Sequence, residues 1–194
     1  MILSWPSPLP SYGPVVLRPF RDTDLDLVAE LSSDPYLPQI GTVPAVFNER
    51  EGLAYIARQH QRLTDGVGYS FAIADVSDDR GLGFAGLWPQ RTGDWATLGY
   101  AVAPSARRRG VATAALTALT AFAWTLPHLS RLVLQIEPSN TGSCRVAERC
   151  GYNREGPPTR TEIGGEPRVI VCYVCRRHYP TDENLSGGFP RGVT

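Results

Sequence analysis

The stretch SARRRGVAT, from Ser105 to Thr113, gathers residue types suited to holding an anion. Arg107, Arg108 and Arg109 stand in a row, Gly110 follows, and Val111, Ala112 and Thr113 open an alanine-rich helix. A helix start already carries unpaired N–H groups and partial positive charge. Adding cations there is unfavourable unless an anion joins them. A chain that bends at this point turns successive N–H groups into one concavity, which suits a phosphate or diphosphate. Gly110 lets the backbone approach without a Cβ, Ala112 keeps the next turn low, and the arginines add forked donors. Neither G-x-G-x-x-G nor G-x-x-x-x-G-K-[ST] occurs, so this is no Gly-rich nucleotide loop of those kinds. A solvated basic patch is the plain alternative.

The elements around this turn are legible. VVLRPF (Val15–Phe20) is a first strand, and RDTDLDLVAELSSD a short helix capped at Asp22 or Thr23. Asn48 with Glu51 three residues later starts a second helix that ends near Gly66. Tyr69–Val76, Gly81–Trp88 and Trp95–Val102 are strand-like, and turn-rich stretches separate them, which predicts an antiparallel meander. A helix from about Arg109 to Thr125 repeats Val111, Ala115, Leu119 and Phe122 on one side, and Pro127 stops it. RLVLQI (Arg131–Ile136) is a strand reached by that crossover, so it pairs parallel with the strand ending at Val102. A helix from Asn140 to about Cys150 is closed by Gly151, and late strands lie near Asn153–Gly156 and Arg168–Arg176. The expected layout is a mixed α/β sheet with helices on both faces and a central parallel pair. Two parallel strands that each feed a helix can splay at their C-terminal ends, where ligands tend to bind.

Bulk properties narrow the function. The chain has 194 residues, 42% of them hydrophobic, enough for one domain with a real core. Formal net charge is zero, so no global field recruits nucleic acid or an acidic membrane. Every basic residue apart from three histidines is arginine, so no lysine serves as base or Schiff-base former. MILSWPSPLPSYGP is broken by prolines and lacks a basic start, and no apolar run nears the ~20 residues that span a bilayer. A cytoplasmic protein is expected. Cys172 and Cys175 allow a metal half-site, but three residues apart on a strand they face opposite ways, so plain strand cysteines and no metal are expected. Cys144 and Cys150 read as helix packing. Residues 179–194 show no apolar periodicity and are expected to be loose.

The segment LGYAVAPSARRRGVATAAL resembles the acetyl-CoA-binding signature of the GNAT acyltransferases, [Q/R]-x-x-G-x-[G/A], here Arg107, Gly110 and Ala112. LVLQIEPSNTGSCRVAERCGY (Leu132–Tyr152) resembles the matching asparagine-bearing element, with the N-x-x-S…G-[FY] spacing of the Rim-type ribosomal-protein N-terminal acetyltransferases. VVLRPFRDTDL resembles the start of that branch. The resemblance covers roughly residues 14–177 and implies one GNAT domain over residues 1–178. Its fold is a mixed, mostly antiparallel sheet of about seven strands with a splayed parallel pair.

The resemblance also implies roles. Main chain at Val102 and Ala103 would pair with the pantetheine arm like an added strand, and an N–H near Val102 would polarise the thioester carbonyl. Arg107, Arg108, Arg109, Gly110, Val111, Ala112 and Thr113 would hold the diphosphate, and Asn140 the pantetheine arm. The reaction implied is acetyl transfer from acetyl-CoA to a primary amine, on a peptide N-terminus or a small molecule, by direct attack in a ternary complex. The tyrosine that usually protonates the thiolate, seven residues after the asparagine, is replaced by Ala147. Ser143, three residues after it, is the candidate in the Rim-like branch. Gln135 and Thr97 stand at common acidic positions and cannot act as bases. Glu137 is the nearest carboxylate and the candidate base, with a solvent-facing side chain as the equal alternative; a water-mediated path with no dedicated base is the preferred account, and His60 and His128 read as helix surface or loop.

Two further classes stand beside the enzyme: a regulatory module that keeps the CoA site without turnover, and nucleic-acid binding through Arg107–Arg109, which zero net charge disfavours. Trp88, Trp95 and Tyr100 read as core aromatics, with the acceptor side as the other assignment. Acceptor identity and a possible homodimer are left open.

Overall fold

The computed structural model describes residues 3–178; the tail at 179–194 expected to be loose lies outside the described residues. Eight strands form one sheet in the order β1-β2-β3-β4-β5-β6-β8-β7. They are β1 (Ser11–Tyr12), β2 (Val15–Arg18), β3 (Tyr69–Asp75), β4 (Gly81–Pro89), β5 (Trp95–Val102), β6 (Arg131–Ile136), β7 (Asn153–Ile163) and β8 (Glu166–Arg176). All neighbours are antiparallel except β5 and β6, which run parallel as the crossover predicts. The helices are α1 (Leu25–Ser32), α2 (Leu37–Ile40), α3 (Glu49–Thr64), α4 (Val111–Ala123) and α5 (Thr141–Arg149).

β1 makes eight strands where about seven are expected. Ser11 and Tyr12 pair with Val16 and Val15, and a two-residue strand among prolines leaves no periodic signal. A correction concerns the late strands. The strand expected to end near Gly156 runs on as β7 to Ile163, its register against β8 shifting between Glu155 and Thr159 and then resuming to Ile163↔Glu166. Gly164 and Gly165 close that hairpin with φ of 63° and 82°, the left-handed pair that a tight two-residue turn requires.

Two apolar layers hold the sheet. On one face the alanines and leucines of α4 pack on Leu17, Phe71, Leu82 and Leu98. Its small side chains let the helix lie close to the strands. On the other face Val28 and Leu31 of α1 and Tyr55 and Ile56 of α3 pack around Phe20 and Ala72. Asn48 caps α3 as its spacing predicts, its side chain accepting the Glu51 N–H at 2.9 Å. The Asp22/Thr23 cap is not used. A short turn, Asp22–Asp24, precedes α1, and Asp24 is buried in a two-pronged ion pair with Arg18, both contacts 2.8 Å. No described helix is long and apolar enough to cross a membrane. Among the described residues no group of three or more His, Cys, Asp or Glu is placed to hold a metal. All four cysteines are free and half-buried.

Candidate active site

The parallel pair separates where the sequence reading places a gap. β5 and β6 pair from Trp95↔Arg131 to Leu98↔Leu134 and no further. Beyond that point β5 stays bound to β4 through Gly83↔Val102, and β6 to β8 through Ile136↔Val171. Each strand thus leans toward its outer neighbour. Ala103 donates its N–H to Leu82 O at 2.9 Å, so in the antiparallel ladder Ala103, Ala101 and Gly99 face β4. By alternation the backbone groups of Tyr100 and Val102 face the gap. Ala103, expected to pair with a ligand, therefore has its N–H already engaged within the sheet.

Past β5 the chain makes a short turn, Pro104–Ala106, then reaches α4. Glu30 of α1 fixes that turn by accepting the Ser105 N–H at 2.6 Å and its hydroxyl at 3.0 Å. Arg108 and Gly110 both take left-handed backbone, with φ of 59° and 80°. Gly110 is the N-cap of α4 and offers no side-chain cap, and the first helical bond is Ala114 N–H to Gly110 O. The first-turn N–H groups of Val111, Ala112 and Thr113 therefore point out uncapped. A Cβ added at Gly110 would meet nothing within 4 Å. Left-handed residues beside a free helix start form a concavity of N–H donors, and these residues fit a linked diphosphate.

The three arginines diverge. Arg107 turns inward, donating from Nε to Val102 O at 3.0 Å and from Nη2 to Asp34 Oδ2 at 2.5 Å. It ties the turn to the segment after α1 and leaves Val102 its N–H alone for the gap. Arg107 and Arg108 both line the cleft. Arg109 does not line it, and its charge is felt instead by Asp75 at the end of β3. What Arg109 offers an anion at this turn is its main-chain N–H, its side chain lying outside the cleft wall. Opposite the turn, Arg145 and Arg149 of α5 line the same cleft. Their four-residue spacing on a helix was the available signal, and the sequence reading missed it.

Asp34 is 6% exposed. Burial alone would raise its pKa, but bonds from the Arg107 guanidinium and the Tyr36 and Leu37 N–H groups hold it below the ordinary carboxylate value. A depressed folded pKa contributes stability above the unfolded value near 3.9, and that contribution fades as pH falls through the folded value. Arg107 is half exposed, so screening keeps the contribution small. Asp34→Asn is expected to lower Tm by about 3 °C at pH 7, with the gap to the parent narrowing as pH falls below the ordinary carboxylate range. Thermal melts across pH measure it, and a deficit of equal size at both ends would contradict the assignment.

Two cavities open from the gap. One, of about 730 Å³, runs along the α4 start between Arg108, Gly110 and Thr113 and the α5 side. The other, of about 490 Å³, lies on the opposite side among Phe84, Trp88, Gln135, Glu137 and Arg62. They meet at Tyr36, Tyr100, Ala101, Asn140 and Ser143, which line both. Val102 buries its side chain beside the first cavity.

At the junction Asn140 caps α5, its Oδ1 accepting the Ser143 N–H at 3.1 Å. Tyr100 donates its hydroxyl hydrogen to Ser143 O at 3.3 Å, and burial pushes its pKa up to about 12. Tyr36 donates to Glu137 Oε1 at 2.9 Å. Burial first, then the Glu137 carboxylate, push the Tyr36 pKa up to about 12, so both phenols stay protonated near neutrality. Glu137 lines the second cavity but is held, since Arg168 donates to the same oxygen at 2.6 Å. Tyr36 was not singled out in the sequence. It sits between Pro35 and Pro38, where no periodicity marks it. Of the three aromatics read as core, Trp88 and Tyr100 line the second cavity, whereas Trp95 lines neither cavity. His60 donates from Nε2 to Phe20 O at 2.8 Å and packs edge-on to Trp5.

Residues 15–153 match a family model described as an acetyltransferase (GNAT) domain. A Bacillus subtilis (strain 168) protein named "Probable N-acetyltransferase YjcK" is 31% identical over 148 residues, covering 73% of this chain and 82% of that protein. A solved Vibrio cholerae structure, assigned provisionally as a ribosomal-protein-serine acetyltransferase, superposes with a TM-score of 0.75 at 25% identity. It covers 90% of this chain and all of that one (100%). Mycobacterium smegmatis RimJ, solved with a CoA disulfide, gives a TM-score of 0.73 at 21% identity over 89% of this chain and 90% of that chain.

Proposed function

The chain belongs to the GNAT family of acetyl-CoA-dependent acetyltransferases, and on that premise we propose that it transfers an acetyl group to a primary amine by direct attack in a ternary complex. One observation supports this most: two cavities on opposite sides of the splayed strands meet at Asn140, Ser143, Tyr100 and Tyr36. A donor and an acceptor entering from opposite sides would have their reacting ends brought together there.

Acetyl-CoA, when bound, supplies a thioester whose C–S bond is exchanged for a C–N bond to the amine. The chain's own residues do the rest. N–H groups from Arg108 to Thr113 hold the diphosphate, with Arg108, Arg145 and Arg149 adding charge. Arg107 acts through the turn, which it fixes by its bonds to Asp34 and Val102. The Val102 N–H polarises the thioester carbonyl, and the Tyr100 backbone and the Asn140 amide hold the pantetheine arm. Ser143 donates a hydrogen bond to the departing sulfur, and when that proton passes to the sulfur the hydroxyl is restored from the groove water that receives the amine's proton. Glu137, already paired with Arg168, orients Tyr36 and receives an amine N–H rather than acting as a strong base. The amine's proton leaves through the open groove to water, which suits an α-amine with pKa near 8.

Release of free CoA thiol from acetyl-CoA, measured against a panel of small amines and N-terminal peptides, tests the proposal. Amine-dependent release is expected. No turnover over background across the panel would overturn it.

A further inference from the structure

Arg62 on α3 lines the 490 Å³ cavity, far along the chain from the junction residues. It is half-buried. The ion pairs among the described residues all use other arginines, so Arg62 faces the groove with no carboxylate partner. Its hydrogen-bond partners are neutral: Nη1 donates to Gln59 Oε1 at 2.8 Å and to Ser70 Oγ at 3.1 Å, and Nη2 to Thr42 Oγ1 at 3.1 Å. The guanidinium lies 5.6 Å from the centre of the Trp88 ring. Those bonds engage both Nη1 hydrogens and one on Nη2. The Nε–H and the other Nη2–H are left, a pair of donors that suits a carboxylate.

The charges of this groove are unequally compensated. Glu137 is the carboxylate that lines it, and Arg168 neutralises that group at 2.6 Å. Arg62 has nothing equivalent. Burial, outweighing the nearby Tyr55, lowers its pKa, and the adjacent Arg58 charge adds to the effect. An uncompensated cation in a wall shared with Phe84, Trp88 and Tyr55 is costly unless an anion arrives with the ligand. A purely loop-fixing role for Arg62 would be met as well by a neutral donor.

We propose that Arg62 is the specificity-determining residue of the acceptor groove and that the acceptor is a small amine carrying a carboxylate on an apolar body. The amine end lies at the junction with Glu137 and Tyr36, the apolar body against Phe84 and Trp88, and the carboxylate on Arg62. A cavity of about 490 Å³ suits an amino-acid- or dipeptide-sized molecule. The inference rests on the assignment of this groove to the acceptor.

Equilibrium binding separates it from the transfer reaction itself. The full chain, saturated with CoA, is titrated with aromatic and aliphatic amino acids and dipeptides, each as free acid and as C-terminal amide. The acid form is expected to bind at least about 10-fold tighter than its amide for the best members. Arg62→Gln, which keeps a polar side chain and removes the charge, is expected to bring that ratio to within about twofold while CoA affinity and the melting temperature stay near the parent's. Equal affinity for acid and amide in the parent, binding of no acid in the set, or a preference that survives in Arg62→Gln would each overturn the proposal. Acid-selective binding without CoA release would count against the transfer reaction and leave the Arg62 seat standing.

Discussion

Gly110→Asp is expected to weaken acetyl-CoA binding by about 100-fold or more while leaving the fold intact. Three local facts lead there. The backbone at Gly110 has φ of 80°, a conformation that Asp and Asn adopt with less strain than other side-chain-bearing residues. A Cβ at this position meets nothing within 4 Å, so no neighbour must move. The residue lines the cleft at the uncapped start of α4. A carboxylate would then stand beside the seat proposed for a diphosphate. Like charges about 4 Å apart repel by ~4 kcal/mol at an effective dielectric near 20, so the charge effect dominates. Gly110→Asn has the same shape and similar backbone strain without the charge. It is expected to bind within about 10-fold of the parent, so the difference between the two variants isolates the electrostatic part. Calorimetric titration with acetyl-CoA, beside thermal melts, makes the comparison. If both variants bind as the parent does, the seat lies elsewhere.

Ser143→Ala is expected to reduce kcat by about 100-fold, equivalent to ~2.7 kcal/mol of barrier, with the KM for acetyl-CoA changed less than about twofold. The split follows from which atoms hold α5. The cap bond uses the Ser143 backbone N–H and the Tyr100 bond uses its backbone carbonyl, so removing the hydroxyl disturbs neither. Ser143→Thr keeps a hydroxyl and is expected to recover much of the rate. A structural role would instead lower the melting temperature and raise KM with kcat unchanged. Steady-state kinetics on the three proteins decides. A parent-like kcat for the alanine variant would remove Ser143 from the chemistry, leaving the Tyr36 phenol, hydrogen-bonded to Glu137, as the next donor to examine.

Local sequence determined most of the scaffold. Apolar periods fixed α3, α4 and β3 to β6, and a helical crossover into Arg131–Ile136 required the parallel pair, because a strand joined to its neighbour through a helix returns in the same direction. The order Arg107, Gly110, Ala112 marked the helix start, since the left-handed turn and the missing cap are properties of a few adjacent residues. Weaker local signals failed where expected, at the two-residue β1 and along β7, whose pairing skips around Gly156–Pro158.

Tertiary structure alone decided which side chains share the site. Three consecutive arginines carry the same chemistry in the sequence, yet Arg107 lines the cleft tied to Asp34, 73 residues away, Arg108 lines it without that tie, and the Arg109 side chain lies outside it. Tyr36 and Glu137 meet across 101 residues, and Arg168 arrives on β8 to neutralise the carboxylate. Arg62 is an ordinary helix arginine until the fold sets it against Trp88 and Ser70 without an acid. The physical reason is the range of the forces involved. Backbone conformation and amphipathic period are settled within a turn or two of chain. The pairing and burial of a charge depend on whatever the packed layers bring within a few ångströms of it, and no local pattern records that.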